Sequence, residues 1–303
     1  MKKVPGLSQG ERISKIFEAI TYLRKDYSVR LLCSILGVSP SGYYAYLRRP
    51  KAQVSAKDRE LLTKIKRVYS LHQGTYGAKR INKYLSAKGT LVNQKKVARI
   101  MRESNLKATV RRPKTSKESK GKAAGYVYEN LLNRDFEATH PNQKWVTDMT
   151  EVWIEDKKYY ISALMDLFNR ELLAVQVSSS PNKELIKTTI QAAQKGRKLK
   201  SLEGVIIHSD QGSVYRSFEH NKLAKKLKFT PSMSRKANCW DNAVIESFFS
   251  QLKTEFPCFY EVKLPSFEED LKRYLRYYNE KRIQQKLGFI SPKDYYHNYQ
   301  KLA

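Results

Sequence analysis

The stretch "GVIIHSDQGSVY" (204–215) begins as a β-branched apolar run suited to a strand buried on both faces, then turns polar at His208, Ser209 and Asp210. Such a strand asks for helices on both sides of its sheet, and ligands of open α/β sheets gather beyond the carboxyl ends of the strands. Asp210 lies just past such an end. A lone aspartate there ordinarily closes a turn or caps a helix, so the neighbouring segments have to decide.

Upstream, "KWVTDMTEVWI" (144–154), "KYYISALMDLF" (158–168) and "ELLAVQV" (171–177) read as three successive strands, followed by a helix over 182–198. After the strand 204–208 come a helix near 217–227 and a short strand at 229–232. Strands in succession followed by α/β alternation predict a mixed sheet with helices on its faces. Asp148 sits inside the first strand among apolar residues, where a carboxylate is costly unless paired or metal-bound. Downstream, 232–256 opens with turn-prone residues and becomes a helix, with Asp241 or Asn242 as the expected N-cap. Val244, Ile245, Phe248, Phe249 and Leu252 give this helix an apolar surface that Glu246 interrupts, an expensive place for a glutamate without a cation. Lys253, seven positions on, returns to nearly the same face, where it can meet a phosphate.

Asp148, Asp210 and Glu246 are hard oxygen donors that suit Mg²⁺, with Mn²⁺ as a substitute. Two such ions about 3.5–4 Å apart serve in-line displacement at phosphorus. The histidines and cysteines show no zinc spacing. His208 reads as a packed, hydrogen-bonded side chain rather than a ligand.

The charge is uneven. Residues 1–125 hold 30 Lys and Arg against 7 Asp and Glu, so +23 of the formal +29 sits there, which points to a polyanion and first to nucleic acid. "YSVRLLCSILGVSPSGYYAYLRRP" (27–50) has helix-turn-helix punctuation, with a turn at Gly37, Ser39 as N-cap and Pro40 at the first helical position. A second helical set covers 57–72, 78–89 and 93–104, with Asn93 as an N-cap and Lys79, Arg80, Lys95, Lys96 and Arg99 as candidate phosphate contacts. The stretch 108–125, with Arg111 and Arg112, reads as a basic linker that also touches DNA. Cys33, Cys239 and Cys258 are expected to be reduced, buried thiols of a cytoplasmic protein, and neither a leader peptide nor a membrane span is expected.

Asp148, Asp210 and Glu246, with 35 residues between the last two, are similar to the D, D(35)E arrangement of retroviral integrases and bacterial insertion-sequence transposases. The words "WVTDMT", "HSDQGSVY", "SMSRKANCWDNAVIESFF", "LKTE" and "YYNEKRIQQKLGFISPKDY" resemble the second-frame (OrfB) product of the IS-three family, and "YGAKRINKYLSAKGTLVNQKKVARIMRE" resembles its helix-turn-helix segment.

The resemblance implies an α/β fold: an RNase H-like mixed five-stranded sheet with flanking helices, the integrase core, preceded by an all-α helix-turn-helix region. The expected organisation is an N-terminal helix-turn-helix-like segment (1–52), a second helix-turn-helix DNA-binding domain (53–107), a basic linker (108–135), the catalytic core (136–260) and a C-terminal helical extension (261–303). The implied activity is metal-dependent 3′-end cleavage and strand transfer in bacterial DNA transposition, with Asp148, Asp210 and Glu246 carrying the metal and Lys253 touching DNA. A non-catalytic DNA-binding regulator and a hydrolysis-only nuclease are the alternatives. The implied partners are the element's terminal inverted repeats and target DNA, further copies of the chain on DNA, and the first-frame (OrfA) product, with no membrane. His208, Asn238, Trp240, Asp241, Asn242, Asn279 and Arg282 match motif positions, with support of fold or of DNA left open. Ala237 stands where glycine is usual, and Gln284 where many relatives carry histidine, which speaks against catalysis there.

Overall fold

The computed structural model describes residues 9–48, 55–110, 125–236 and 238–302, and the chain divides into two compact units at Leu61/Leu62. Ala237, Arg111 and Arg112 lie outside the described residues. No helix among the described residues is long and apolar enough to cross a membrane.

The first unit contains α1 (Gln9–Leu23), α2 (Val29–Leu36) and α3 (Pro40–Arg48), closed around Phe17, Ile20, Leu32, Cys33 and Tyr43. Ser28 caps α2, and Gly37 ends it with φ at +68°, a conformation that glycine adopts without a Cβ penalty. Ser39 accepts from the Gly42 N–H and starts α3. The sequence pattern anticipates α2 and α3; α1, which it does not anticipate, supplies Phe17 and Ile20.

α4 (Ala56–Leu71) carries the chain across the division to α5 (Ala78–Ala87) and α6 (Gln94–Glu103), with Asn93 accepting from the Lys95 N–H as the expected cap. α5 and α6 bury Ile81, Leu85, Val97, Ile100 and Met101.

The sheet comprises β1 (Lys144–Ile154), β2 (Lys157–Asp166), β3 (Leu172–Ser178), β4 (Ile206–Ser209) and β5 (Thr230–Met233), in the order β3-β2-β1-β4-β5. β1, β2 and β3 form an antiparallel meander, and β4 and β5 add in parallel, giving the expected mixed sheet. α7 (Lys183–Gly196) and α8 (Phe218–Leu227) enclose one face with Trp145, Leu164 and Ile207; α9 (Ala243–Phe259) and α10 (Phe267–Glu280) enclose the other with Val146, Ile154 and Ile161. α11 (Pro292–Leu302) lays Tyr295 and Tyr299 edge-on to Phe168.

Three segments do more than their composition suggests. Within the expected linker, Leu132 enters the core, and Glu129 and Leu131 bond the backbone of Met233 and the hydroxyl of Ser232. Asn279 on α10 pairs with both the N–H and C=O of Leu172, taking the place of a neighbouring strand at the β3 edge. The turn after α4 meets the C-terminal segment: His72 stacks on Tyr76 and bonds the Tyr277 hydroxyl at 2.9 Å, and the Ile283 N–H donates to Tyr76 at 2.9 Å. Cys33 is buried as expected, but Cys258 is only half-buried.

His72, His208 and His220 are buried, and desolvation pushes each imidazole down to about 4. As pH falls from 6.5 toward 4 the unfolded chain takes up protons that the folded chain refuses, so these sites stabilise the fold above that window and lose that contribution through it. Imidazole carbon shifts of the three are expected to hold their neutral values below pH 6 and to move only near pH 4; movement near 6.5 would contradict their burial.

Candidate active site

β1 and β4 run in parallel with Val146 beside His208, so two residues further along each strand direction Asp148, inside β1, and Asp210, just past the end of β4, come side by side. Alternation along β1 sends Trp145 to the α7 face and Val146 to the α9 face, and Asp148 shares the parity of Val146. α9 crosses that face. It buries Val244, Ile245, Phe248, Phe249 and Leu252 while Glu246 and Lys253 are exposed along its rim. The expectation that Glu246 interrupts a buried surface is corrected here: the apolar arc of α9 is narrower than the pattern suggests, and water reaches the carboxylate. Seven residues apart, Glu246 and Lys253 do share a helical face, and both act on Asp148.

Burial raises Asp148 well above the ordinary carboxylate range; the charges of Asp210 and Glu246 add to the shift, while the Met149 N–H and Lys253 oppose it. Asp210 is raised by burial and partly relieved by the Gly212 N–H, 2.9 Å from Oδ1. Asp166, buried at the other end of the hairpin, is also raised by burial, but it has more opposing partners, two backbone N–H groups and Arg197. The chain thus holds two adjacent carboxylates whose negative charge it compensates poorly. Among the described residues no three His, Cys, Asp or Glu side chains are already drawn together as a metal cage.

Asp241 does not cap α9. Its carboxylate, fully buried, accepts from the Arg235 backbone N–H, Nε and Nη2, from Arg134 Nε and from Asn130 Nδ2, all within 3.0 Å. Hydrogen bonds from Arg235, with Arg134 in support, hold it well below the usual range. Asn242, the other expected cap, does stand at the N-cap position of α9 but makes no side-chain cap bond, and its buried amide has no hydrogen-bond partner among the described residues. Asn238 precedes a 3-10 turn, Cys239–Asn242, that leads into α9, and Trp240 on this turn is exposed. His208 bonds Ser232 across the β4–β5 step. Arg282 forms a buried ion pair with Glu255, and Asn279 bonds the backbone of Leu172. Gln284 bridges the backbone of Ile290 in a tight turn.

The basic residues divide. Lys79 donates to Gln285 Oε1 at 3.1 Å and lies over Phe289, and Arg80 lies over Tyr76 with its pKa lowered by burial and by Arg282. Both face the C-terminal segment. Lys95 is exposed on the first turn of α6 with Lys96 beside it, and Arg99 pairs with Glu103 at 2.9 Å.

Tyr215 and Gly212, which no sequence motif marks as functional, lie near the aspartates. Tyr215, fully buried, bonds Thr147 at 3.3 Å, and burial followed by the charges of Asp148 and Asp210 raises its hydroxyl well above the ordinary range. Gly212 has no room for a methyl group: a Cβ there would stand 2.9 Å from Asp210 Oδ1. Only the carboxylate could give way. Gly212→Ala is therefore expected to leave melting nearly unchanged and to cut turnover by about 100-fold, the scale of an ångström-level misplacement; a variant of parental activity would free Asp210 from this constraint.

Comparison with known proteins places family models along the chain: an HTH-like domain over 56–114 and integrase core domains over 138–239 and 227–292. Transposase InsK of insertion sequence element IS150 from Escherichia coli is 35% identical over 92% of this chain and 96% of its own length. The transposase of IS904 from Lactococcus lactis is 36% identical over 82% and 97%, and transposase InsF of IS3A from Escherichia coli 32% over 76% and 80%.

Proposed function

The chain belongs to the IS-three family of insertion-sequence transposases with an integrase core, and on that premise we propose that it frees the 3′ ends of its element and joins them to a second phosphodiester, using Asp148, Asp210 and Glu246. The observation that carries the reading is the parallel register of β1 and β4, which sets two undercompensated aspartates side by side beneath the helix that carries Glu246 and Lys253.

The donor set fits a hard divalent cation: three carboxylates, no thiolate, and a local excess of negative charge. Magnesium or manganese, in two ions held by Asp148, Asp210 and Glu246, would stabilise charge on the attacking and leaving oxygens. The chain's own part is positioning. β1 and β4 fix the aspartates on a rigid sheet, Gly212 N–H orients the Asp210 carboxylate, and the exposed Lys253 ammonium offers a charge to the incoming phosphate. Lys95, Lys96 and Arg99 on α6 are the proposed contacts of the helical region with the DNA backbone, and two element ends held together imply more than one copy of the chain.

The test incubates purified protein with labelled duplexes of the element's end and target DNA in Mg²⁺, Mn²⁺ or EDTA. Metal-dependent nicked and joined strands are expected. Nicking without joining would identify a hydrolytic nuclease.

A further inference from the structure

We propose that Trp240 is a stacking platform for an unpaired base of the DNA end that enters the carboxylate site, an inference that rests on the transposase reading above.

Trp240 is 70% exposed, an expensive way to display an indole in water. Its position is nonetheless fixed. The next residue, Asp241, takes five hydrogen bonds and exposes none of its surface, and Asn242 after it is also buried, so the backbone is pinned while the ring faces outward. The other exposed tryptophan, Trp153, has the Lys158 ammonium over its ring; among the described residues no cation or second ring covers Trp240.

The place of the ring gives it a ligand. The segment starts beside Asp210, where the Ser234 N–H donates to the Ser209 carbonyl and Gln211 Nε2 to the Ser234 carbonyl, and it ends at Asn242, just before α9 and four residues before Glu246. Arg134 and Arg235, the partners of Asp241, keep about half of their side chains in water, 49% and 51%. An exposed apolar ring on the residue next to one that two half-exposed guanidinium groups grip matches a nucleotide, whose base stacks while its phosphates meet the charges. The backbone has to approach two recessed aspartates, and a strand separated from its partner does so while leaving a base unstacked. A protein surface would not need the guanidinium pair.

The full chain is mixed with a forked duplex carrying 2-aminopurine in its unpaired arm, in Ca²⁺ so that no strand is cut. The parent is expected to quench the probe. Trp240→Ala should lose most of the quenching and bind the fork about 10-fold more weakly, Trp240→Tyr should recover most of both, and binding to a blunt duplex should change little. Equal quenching by parent and Trp240→Ala overturns the proposal, as does a parent that binds no fork. A Trp240→Ala chain with parental DNA binding and an altered oligomeric state would assign the ring to a protein contact instead. Strand joining in Mg²⁺ separates the two readings: a parent that quenches but joins nothing sinks the transposase chemistry alone, and a joining parent whose Trp240→Ala variant still quenches sinks the stacking alone.

Discussion

The Glu246→Gln chain is expected to bind element-end DNA as tightly as the parent and to join no strands. Glu246 is exposed on the rim of α9, so a glutamine of the same shape leaves the packing of Val244, Phe248 and Phe249 untouched, and the unfolding free energy should change by no more than a surface substitution allows, about 0.5 kcal/mol. What is lost is one negative oxygen donor facing Asp148. Cation stabilisation of the transition state is worth several kcal/mol, and each 1.36 kcal/mol is a factor of ten, so joining should fall by at least about 10³-fold. Gel analysis of nicked and joined products reads the loss, and anisotropy with labelled duplex reads binding. Retention of joining would remove Glu246 from the site. A parent that binds tightly yet neither nicks nor joins would point to a regulator or to a missing first-frame partner, and adding that partner distinguishes these.

The sheet and the neighbouring pair Asp148 and Asp210 were legible because each rests on a local pattern. Alternating or continuous apolar runs at 144–154, 158–168 and 204–208 fall within one or two residues of β1, β2 and β4, and the polar break at Asp210 marks the strand end that presents it. Motif words supplied Asp241, Asn279 and Arg282 but not their tasks. Those tasks depend on partners far off in sequence: Arg134 lies 107 residues before Asp241, Leu172 is 107 before Asn279, and Glu255 is 27 before Arg282. Spacing on a single element carries no information about such pairs. The same limit explains Lys79 and Arg80. A basic helix face reads as solvated or phosphate-binding, and only tertiary packing turns it toward Gln285 and Phe289. The exposure of Glu246 is hidden in the sequence for a local reason, since five apolar residues within nine positions suggest an arc wide enough to enclose it.

Arg282→Met is expected to cost about 3–5 kcal/mol of stability, the penalty for leaving a buried carboxylate without its counter-charge. Arg282 and Glu255 are 2% and 6% exposed, and the guanidinium grips both oxygens, Nε to Oε2 at 2.8 Å and Nη2 to Oε1 at 2.6 Å. Burial alone would lower the Arg282 pKa, but the bonds to Glu255 outweigh it and raise the group. The Tyr274 hydroxyl bonds the same carboxylate at 3.2 Å, and the Tyr278 ring lies 5.4 Å beneath the guanidinium, which ties the end of α10 to the middle of α9. Methionine fills much of the volume and offers no donor, so urea unfolding should report a lower midpoint with a similar slope. The double variant Arg282→Met, Glu255→Leu should recover most of the loss, because an apolar replacement of both partners is close to neutral. Failure of that recovery would mean that the geometry of the pair, rather than the stranded charge, sets the cost. Either way joining by the single variant should follow the folded fraction, since Glu255 faces α10 and lies away from the rim that carries Glu246 and Lys253; a loss of joining in fully folded protein would instead show that the α9–α10 clamp positions the active carboxylate.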